Sequence, residues 1–293
     1  MRSTNHKGNR RAVVVTGASS GIGEACALHL DRIGFQVFAS VRKQPDADAL
    51  KQRASDQLTP ILIDVTDVSS VARAAEAVAS ALNDEGLFAL VNNAGISLSG
   101  PLEFIPLDQL RTQLETNVIG QVAVTQAFMP LLRRGRGRVI NIGSESGILS
   151  VPLGGPYCAS KFAMEALTDS LRMELRPWGI SVSMVAPGFV ATPIIDKDRD
   201  NWSEIKQRLP QEARKLYDPS INSANRFVDK IRRFESSPDS VAKTVGKALT
   251  AKRPKRRYIA GRGARIYPIF ARHTPVPLRD WILMKMLGIH KED

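Results

Sequence analysis

A glycine-rich loop is the feature that most constrains the fold of this chain. It follows a short β-branched run, Ala12–Thr16, carries Gly17 and Gly23, and leads into an expected helix at Gly21–Ile33. Glycines permit a tight turn and close approach of a ligand, and a helix N-terminus offers unpaired N–H groups to an anion. The spacing is G-x-x-x-G-x-G, not the commoner G-x-G-x-x-G, although the physical reasoning is the same. The segment therefore predicts a turn that binds the phosphates of a nucleotide.

Short apolar runs alternate with helix-length segments along most of the chain. Six further strands are expected, at Gln36–Ser40, Ile61–Asp64, Phe88–Asn92, Arg138–Ile142, Ile180–Val185 and Arg257–Ala260. Helices are expected at Asp46–Ala54, Ser69–Leu82, Leu107–Leu132, Tyr157–Leu175 and Ser240–Thr250. Strands that are separated by helices form parallel sheets with both faces covered. The pattern predicts an α/β fold with helices on both faces of the sheet.

The alternation stops near residue 193. Residues 193–238 are polar, helix-prone and studded with aromatic side chains, which favours a helical lid. Residues 261–293 form a C-terminal tail that has no counterpart in the alternating core. Because no repeat or low-complexity linker divides the sequence, we expect a single domain over residues 1–293, with its core at about 10–260.

Positive charge is concentrated in the last third of the chain. The net charge is +12, and 43% of the residues are hydrophobic, a composition that excludes collagen-like, disordered and multi-span membrane proteins. Up to Val190 there are 18 basic and 17 acidic residues, whereas from Ala191 onward there are 23 and 12. A basic run, Lys252–Arg257, lacks interleaved aromatic residues and a recognisable recognition fold, so we expect no nucleic-acid partner.

Cysteine usage and the N-terminus bear on the compartment. Cys26 and Cys158 are too few for a disulfide framework, and neither has metal-ligand spacing, so no metal site is expected. The polar, basic N-terminus lacks the apolar core of a signal peptide, and no apolar run reaches the roughly 18 residues that span a bilayer. We expect a cytoplasmic protein that is soluble or peripheral to a membrane.

Further motifs follow the glycine-rich loop in a fixed order. They are Asn92-Asn93-Ala94-Gly95, Asn117, Ser144, Tyr157 with Lys161 four residues later, and Pro187-Gly188. Together with Thr16–Gly23 they resemble the short-chain dehydrogenase/reductase family over about residues 10–193, and the segment 157–163 resembles its steroid and retinol dehydrogenase branch. The resemblance implies a Rossmann-type, doubly wound sheet of about seven strands, a nicotinamide cofactor, carbonyl–alcohol redox chemistry, and a homodimer or homotetramer.

The proposed catalytic set centres on two residues one helical turn apart. A tyrosine with a pKa near 10 is a poor base at neutral pH, but a neighbouring ammonium favours the phenolate. Tyr157 beside Lys161 is therefore expected to exchange a proton with the substrate oxygen. The resemblance implies that Ser144 orients that oxygen, that Asn117 anchors a proton-relay water, and that Lys161 also binds the nicotinamide ribose.

Cofactor contacts are likewise implied by the resemblance. They come from Gly17, Ser19, Ser20, Gly21, Ile22, Gly23, Asp64, Val65, Asn92, Ala94, Gly95, Tyr157, Lys161, Pro187, Gly188, Val190 and Thr192. Asp64 matches a position that meets the adenine edge, although capping of the following turn is an alternative role.

The end of the second strand bears on the choice of cofactor. NAD-preferring sites place an acid there to bind the ribose 2′-OH, whereas this chain has Val41 followed by Arg42. Ser40 and Arg42 would suit a 2′-phosphate, which favours NADP; NAD remains the alternative if Arg42 and Lys43 are merely a solvated pair.

The substrate is expected to be small and hydrophobic, an alcohol or ketone such as a steroid or retinoid. Apolar residues lie near the catalytic motifs, at Leu149, Val151, Leu153 and Phe189. The apolar segment Val276–Ile289 either packs on the lid or a second subunit, or lies with the basic run on an anionic membrane surface. A non-catalytic NADP-binding sensor is the alternative to an enzyme.

Overall fold

The computed structural model describes residues 11–83, 85–197, 207, 209–261, 264, 266–287 and 289. The strands are β1 (Ala12–Val15), β2 (Gln36–Val41), β3 (Leu58–Leu62), β4 (Ala89–Asn92), β5 (Arg138–Ile142), β6 (Ser181–Pro187) and β7 (Arg257–Ala260). The helices are α1 (Gly21–Arg32), α2 (Gln44–Gln52), α3 (Val68–Ala81), α4 (Leu107–Leu114), α5 (Gly120–Gly135), α6 (Gly155–Glu174), α7 (Gln211–Arg232), α8 (Pro238–Thr250), α9 (Ile266–His273) and α10 (Val276–Met286). Residues 193–197 are also helical.

All seven strands pair in parallel, in the order β3-β2-β1-β4-β5-β6-β7. Val13 lies opposite Val37 of β2 on one side and opposite Ala89 of β4 on the other. The direction of winding reverses between β1 and β4, and ligands of open α/β sheets bind outside the carboxyl ends of the strands at such a point. The predicted doubly wound, Rossmann-type sheet is confirmed.

Each face of the sheet has its own core. Val13 and Val15 pack with α1 and α8, whereas Ala12 and Val14 pack with α3 and α5. All four side chains are at most 2% exposed. Successive strand residues point to opposite faces, so a strand buried on both faces needs a continuous apolar run, which the sequence supplies here.

The third strand lies earlier than predicted. It spans Leu58–Leu62 rather than Ile61–Asp64, and it contains Pro60. Proline lacks the N–H that a central strand needs, but β3 is an edge strand paired only with β2, so the residue is tolerated.

The predicted helix Leu107–Leu132 is interrupted in the middle. Residues Glu115–Ile119 form a π-helical turn between α4 and α5, and this turn contains Asn117. A Cβ on Gly120, where α5 begins, would lie 2.8 Å from the carbonyl oxygen of Val65. Close approach of α5 to the end of β3 therefore requires glycine at this position, and π-turns inside helices occur frequently at functional sites.

The segment predicted as a lid leaves the sheet and returns at a short bridge. Val190 pairs with Ser236, the Ala191 N–H donates to the Ser236 carbonyl at 3.0 Å, and the Ser236 N–H donates to the Phe189 carbonyl at 2.9 Å. Between these ends lies α7, while residues 198–206 and 208 of the predicted lid fall outside the described residues. Buried Ile221 of α7 belongs to a small cluster that packs against Leu153.

Candidate active site

The glycine-rich loop has the shape that an anion site needs. Gly17 has a φ of +66°, and a Cβ on Gly23 would lie 2.1 Å from the Gly17 carbonyl oxygen. Ser20 precedes α1 without capping it through its side chain, which leaves the first N–H groups of the helix to a ligand. Ser19 is exposed, whereas Ser20, Gly21 and Ile22 are half-buried at the same edge. The loop fits a pyrophosphate.

Two residues that the sequence interpretation did not select hold this loop in place. The Thr16 hydroxyl accepts hydrogen bonds from the backbone N–H groups of Asn93 and Ala94 at 2.9 and 3.0 Å. The Asn93 amide donates to the carbonyls of Thr16 and Gly17 at 2.9 and 3.1 Å. They join the ends of β1 and β4, and both lie inside motifs of the sequence, Thr16 in the glycine-rich segment and Asn93 in Asn92–Gly95.

Ser40 supports the glycine-rich loop. Its hydroxyl oxygen accepts the N–H of Gly17 at 3.1 Å, its carbonyl accepts the N–H of Ala18 at 2.7 Å, and the residue is 1% exposed. The side chain therefore stabilises the first turn, and its contact with a 2′-phosphate stays a prediction.

Asn92 stabilises the central sheet. Its side chain is 1% exposed and donates to Thr125 at 2.8 Å and to Asn141 at 3.0 Å. The residue therefore ties β4 to β5 and α5 beneath the site, while Ala94 and Gly95 lie beside it. A Cβ on Gly95 would lie 3.1 Å from the Asn117 amide oxygen, so the chain passes close to the catalytic set here.

The ends of β2 and β3 form the expected adenosine side. Arg42 and Lys43 are exposed, and Val41 and Val65 are buried. Hydrogen bonds from Thr66, at 2.7 and 3.0 Å to one carboxylate oxygen, lower the pKa of Asp64, and the nearby charge of Arg42 lowers it further. The alternative capping role of Asp64 is thus realised, and Arg42 lies close to it.

Asn117, a member of the predicted catalytic set, is fully buried. Its amide oxygen accepts the Ile96 N–H at 2.8 Å, and its amide nitrogen donates to the Ile96 carbonyl at 2.9 Å and to the Ser160 hydroxyl at 3.1 Å. Ser160 in turn donates to the Tyr157 carbonyl at 2.7 Å. Asn117 therefore connects the loop after β4 to the helix that carries Tyr157 and Lys161.

Lys161 is hydrogen-bonded to the end of β5. Its ammonium donates to the Ile142 carbonyl at 3.0 Å and lies 5.6 Å from the centre of the Tyr157 ring. The side chain is 5% exposed, and burial lowers its pKa to about 8, with Glu165 acting in the opposite direction. A buried cation one turn from the tyrosine favours the phenolate form of Tyr157.

Ser144 begins the 3-10 turn Glu145–Gly147 directly after β5. Its hydroxyl oxygen accepts the Ser146 N–H at 3.1 Å, and its side chain lines a cavity of about 520 Å³. This volume lies within the usual range of small-molecule pockets. The hydroxyl hydrogen of Ser144 is then free to turn towards a substrate oxygen.

The segment after β6 closes the cofactor side of the cavity. The Gly188 N–H donates to the Ala260 carbonyl at 2.9 Å, and Val190 is buried in the core. Thr192 lies against the glycine-rich loop, because a Cβ on Gly21 would be 3.1 Å from its methyl carbon. Pro187 ends β6, and the segment that follows contacts the glycine-rich loop through Thr192 and the cavity through Gly188.

The cavity wall is mostly apolar and is built from several segments. The four residues expected from the sequence, Leu149, Val151, Leu153 and Phe189, all line it. The lid contributes Ile221, Ala224, Phe227 and Val228, and the tail contributes Tyr267, Leu283, Met286 and Leu287. One face of the tail therefore packs on the lid side, and Glu145 and Tyr267 are wall residues that the sequence interpretation missed.

The site combines a glycine-rich loop that fits a pyrophosphate, a tyrosine beside a buried ammonium, and a largely apolar cavity. This combination defines a dinucleotide-dependent oxidoreductase acting on an alcohol or carbonyl group. The profile of the family described as short chain dehydrogenase matches residues 11–202. The chain belongs to the short-chain dehydrogenase/reductase family, in its steroid and retinol dehydrogenase-like branch.

Individual relatives agree with this assignment. Human (Homo sapiens) retinol dehydrogenase 5 is 38% identical over 283 residues, covering 93% of this chain and 89% of the relative. Estradiol 17-beta-dehydrogenase 2 of Rattus norvegicus is 34% identical over 285 residues, covering 94% and 74%. An actinorhodin polyketide ketoreductase solved with NADPH superposes with a TM-score of 0.71 at 26% identity, covering 86% of this chain and 95% of that one.

Within the described ranges, no three His, Cys, Asp or Glu side chains are grouped to hold a metal ion. No helix in that part of the chain is both long and apolar enough to cross a membrane. Cys26 and Cys158 are both buried and free.

Proposed function

We propose that this protein is an NADP-preferring oxidoreductase that interconverts a hydrophobic alcohol and its ketone or aldehyde. The observation that carries the proposal is the buried network from Asn117 through Ser160 to the helix of Tyr157 and Lys161, beside a cavity bounded by Ser144. A binding protein without catalysis would have no need to bury a lysine with a lowered pKa beside a tyrosine.

Each residue has a defined task in the reaction. The nicotinamide supplies or accepts the hydride. In the reductive direction the Tyr157 hydroxyl donates a proton to the substrate oxygen as negative charge develops there. The ammonium of Lys161 stabilises the resulting phenolate, and the Ser144 hydroxyl donates a hydrogen bond to the same oxygen. Asn117 positions this set by fixing the π-turn against Ile96 and Ser160.

The chemical proposal is tested with Tyr157→Phe. Turnover of apolar ketones is expected to fall at least about 100-fold, with cofactor affinity nearly unchanged, because the phenol is the proton donor. Tyr258→Phe is the matched control. Tyr258 lies on β7 and is not a residue of the cavity wall, and its hydroxyl accepts the N–H of Lys255. Retained turnover in Tyr157→Phe contradicts the assignment. A wild-type protein that binds the cofactor but transfers no hydride to any ketone or alcohol supports the sensor alternative.

The cofactor preference rests on the exposed basic residues after β2. No carboxylate ends that strand, and the charge of Arg42 lowers the pKa of nearby Asp64, which supports a guanidinium on the side expected for the adenosine. A guanidinium binds a phosphate in bidentate geometry. We expect NADPH to bind at least about tenfold more tightly than NADH, and Arg42→Ala to remove most of that difference. Arg134→Ala, an exposed arginine on α5, is the control.

The substrate class follows from the cavity. Its size and its lining by aliphatic side chains from the lid and tail suit a bulky apolar ligand better than a sugar. The steroid and retinoid names of the relatives support the same class. A panel of steroid, retinoid and aliphatic ketones, followed by absorbance of the reduced nicotinamide, measures this preference directly.

We also propose that the protein pairs with a second copy through the surface of α5 and α6. Phe162 and Met173 are 42% and 59% exposed and lie eleven residues apart, on one face of α6. Ile119, just before α5, is 53% exposed. Phe162→Glu with Met173→Glu should yield a monomer in light scattering after size exclusion. Unchanged mass in the double variant contradicts this interface.

The tail presents a second apolar surface. Ile266 and Ile269 on α9 and Leu278 and Trp281 on α10 are between 49% and 68% exposed, and Lys285 lies 4.9 Å from the Trp281 ring. Apolar side chains beside a lysine fit an anionic lipid surface, and we propose that this face rests on one.

The basic run and this apolar face belong to different segments of the chain, since Lys252–Arg256 precede β7 and α9 and α10 follow it. We propose that membrane binding depends chiefly on the apolar face, because its apolar side chains are exposed. Ile269→Gln with Trp281→Gln should abolish co-sedimentation with anionic vesicles, while Lys252→Gln with Arg253→Gln should leave most of it. Equal binding by both variants contradicts the proposal.

A further inference from the structure

Glu145 is a half-buried residue in the wall of the cavity, and it has no role in the chemistry described above. It directly follows Ser144 and lines the same cavity. Its Oε2 is shielded from solvent and has no hydrogen-bond partner among the described residues. Its Oε1 lies against the backbone of Gly188, where a Cβ would be only 2.4 Å away. The carboxyl is thus held between the two segments that flank the reacting centre.

A ligand that offers a hydrogen bond would stabilise this placement. An unpartnered polar group in an apolar environment costs free energy, and buried polar atoms without partners are rare in native proteins. Burial alone raises the pKa of Glu145 to about 7, and no ion pair to it exists within the described part of the chain. The titratable groups that share its cavity are Tyr267 on α9 and Asp229 on α7, and neither supplies positive charge. Burial, and secondarily the charge of Glu145, raises the pKa of Tyr267.

We propose that Glu145 is a specificity-determining residue that binds a hydroxyl group of the substrate, close to the carbon that is oxidised or reduced. This inference rests on the proposed oxidoreductase function and narrows its substrate class to hydroxylated ketones and diols with an apolar body. Proximity to the reacting carbon follows from sequence adjacency to Ser144, whose hydroxyl meets the reacting oxygen.

A hydroxyl is the group that suits this carboxyl best. Near neutral pH both protonation states of Glu145 are populated, and a hydroxyl is both a donor and an acceptor. It donates to the carboxylate and accepts from the carboxylic acid. An ammonium group pairs only with the carboxylate, and a second carbonyl only with the acid. An ammonium would also bring a further charge into an apolar cavity, at a high desolvation cost.

The test compares paired ketones that differ in one hydroxyl adjacent to the carbonyl carbon. The wild-type protein is expected to prefer the hydroxylated member by about tenfold in kcat/KM, the factor that one buried hydrogen bond provides. Glu145→Leu should bring this ratio to about one, because it removes the polar group and fills the same space. A second variant, Glu145→Gln, keeps the shape of the side chain and removes its charge. Glu174→Gln, on the exposed end of α6, is its matched control.

The pH dependence of the ratio is a second readout. As the pH rises through about 7, Glu145 becomes a carboxylate. A carboxylate binds the hydroxyl of the substrate more strongly than the acid does, and it is destabilised more by the ketone that lacks this hydroxyl. The preference of the wild-type protein should therefore increase with pH, while Glu145→Gln keeps a smaller preference that does not change near pH 7. Glu145→Gln differs little in shape from the wild type, so it separates the loss of charge from misfolding.

The outcomes distinguish this inference from the proposed function. Turnover of both ketones with a wild-type ratio near one, or a ratio that Glu145→Leu leaves unchanged, refutes the role of Glu145 and leaves the oxidoreductase intact. A change in cofactor dissociation constant with an unchanged ratio also refutes it, because Glu145 would then serve the nicotinamide side. Failure to turn over any member of the panel overturns the proposed function and this inference with it.

Discussion

Replacement of Lys161 by methionine should stabilise the protein while it abolishes catalysis. The pKa of Lys161 is lowered from 10.5 to about 8, chiefly by burial. Because one pKa unit corresponds to about 1.4 kcal/mol, holding the charge at pH 7 costs about 3 kcal/mol. The same substitution loses the hydrogen bond to the Ile142 carbonyl, worth about 1 kcal/mol. We therefore expect Lys161→Met to gain about 2 kcal/mol at pH 7.

The difference in stability between the wild-type protein and Lys161→Met depends on pH. Lys161 has a lower pKa in the folded than in the unfolded protein, so the unfolded state binds more protons between pH 8 and 10.5. The penalty is fully present below pH 8 and disappears as the pH rises through this window. Wild-type stability should therefore rise from pH 8 to 10.5 relative to Lys161→Met, and the advantage of the variant should vanish or reverse above it.

Thermal unfolding without added cofactor measures this difference. For a chain of this length, about 2 kcal/mol corresponds to a rise of about 3 °C in Tm. Lys247→Met, an exposed lysine on α8, is the control and should change stability by less than about 0.5 kcal/mol. A variant that is less stable than the wild type at pH 7, or a difference that does not vary with pH, refutes the reasoning. Activity should fall at least about 100-fold.

Three further predictions concern the loop, the network and a thiol. Gly23→Ala should prevent dinucleotide binding in a titration, because its Cβ would lie 2.1 Å from the Gly17 carbonyl oxygen; normal affinity contradicts the loop geometry. Asn117→Ala should destabilise the protein by about 2–4 kcal/mol in urea and abolish turnover, since it leaves buried partners at Ile96 and Ser160 unsatisfied. Burial raises the pKa of Cys26 to about 12, so this thiol should react with a disulfide reagent only after unfolding; reaction in the native protein contradicts its burial.

Several parts of the site could be predicted from the sequence because they depend on local chemistry. The glycine-rich loop, the Tyr157 and Lys161 pair and the continuous apolar strands are recognisable within a few residues, and each lies where it was expected. The sequence interpretation placed β3 too late in the chain, because Pro60 argues against a strand unless the strand is known to lie at the edge of the sheet. Edge positions depend on the order of strands, which is a long-range property.

The direction and partners of polar side chains could not be predicted in the same way. Ser40 and Asn92 lie in motif positions, but both turn inward to bond Gly17, Thr125 and Asn141. Strands with both faces buried carry no polar alternation, so the sequence does not indicate which side chain meets the ligand and which supports the sheet.

The sequence by itself predicted the alternation of strands and helices and the glycine-rich loop, because each follows from short-range spacing and residue type, whereas the catalytic set was predicted from the resemblance to a family. Only the tertiary structure decided that the lid and the tail line one cavity together with the segment after β5, and that Glu145 lies in the wall of that cavity. The wall joins residues as far apart in the chain as Leu149 and Leu287, and no local pattern encodes which segments will meet.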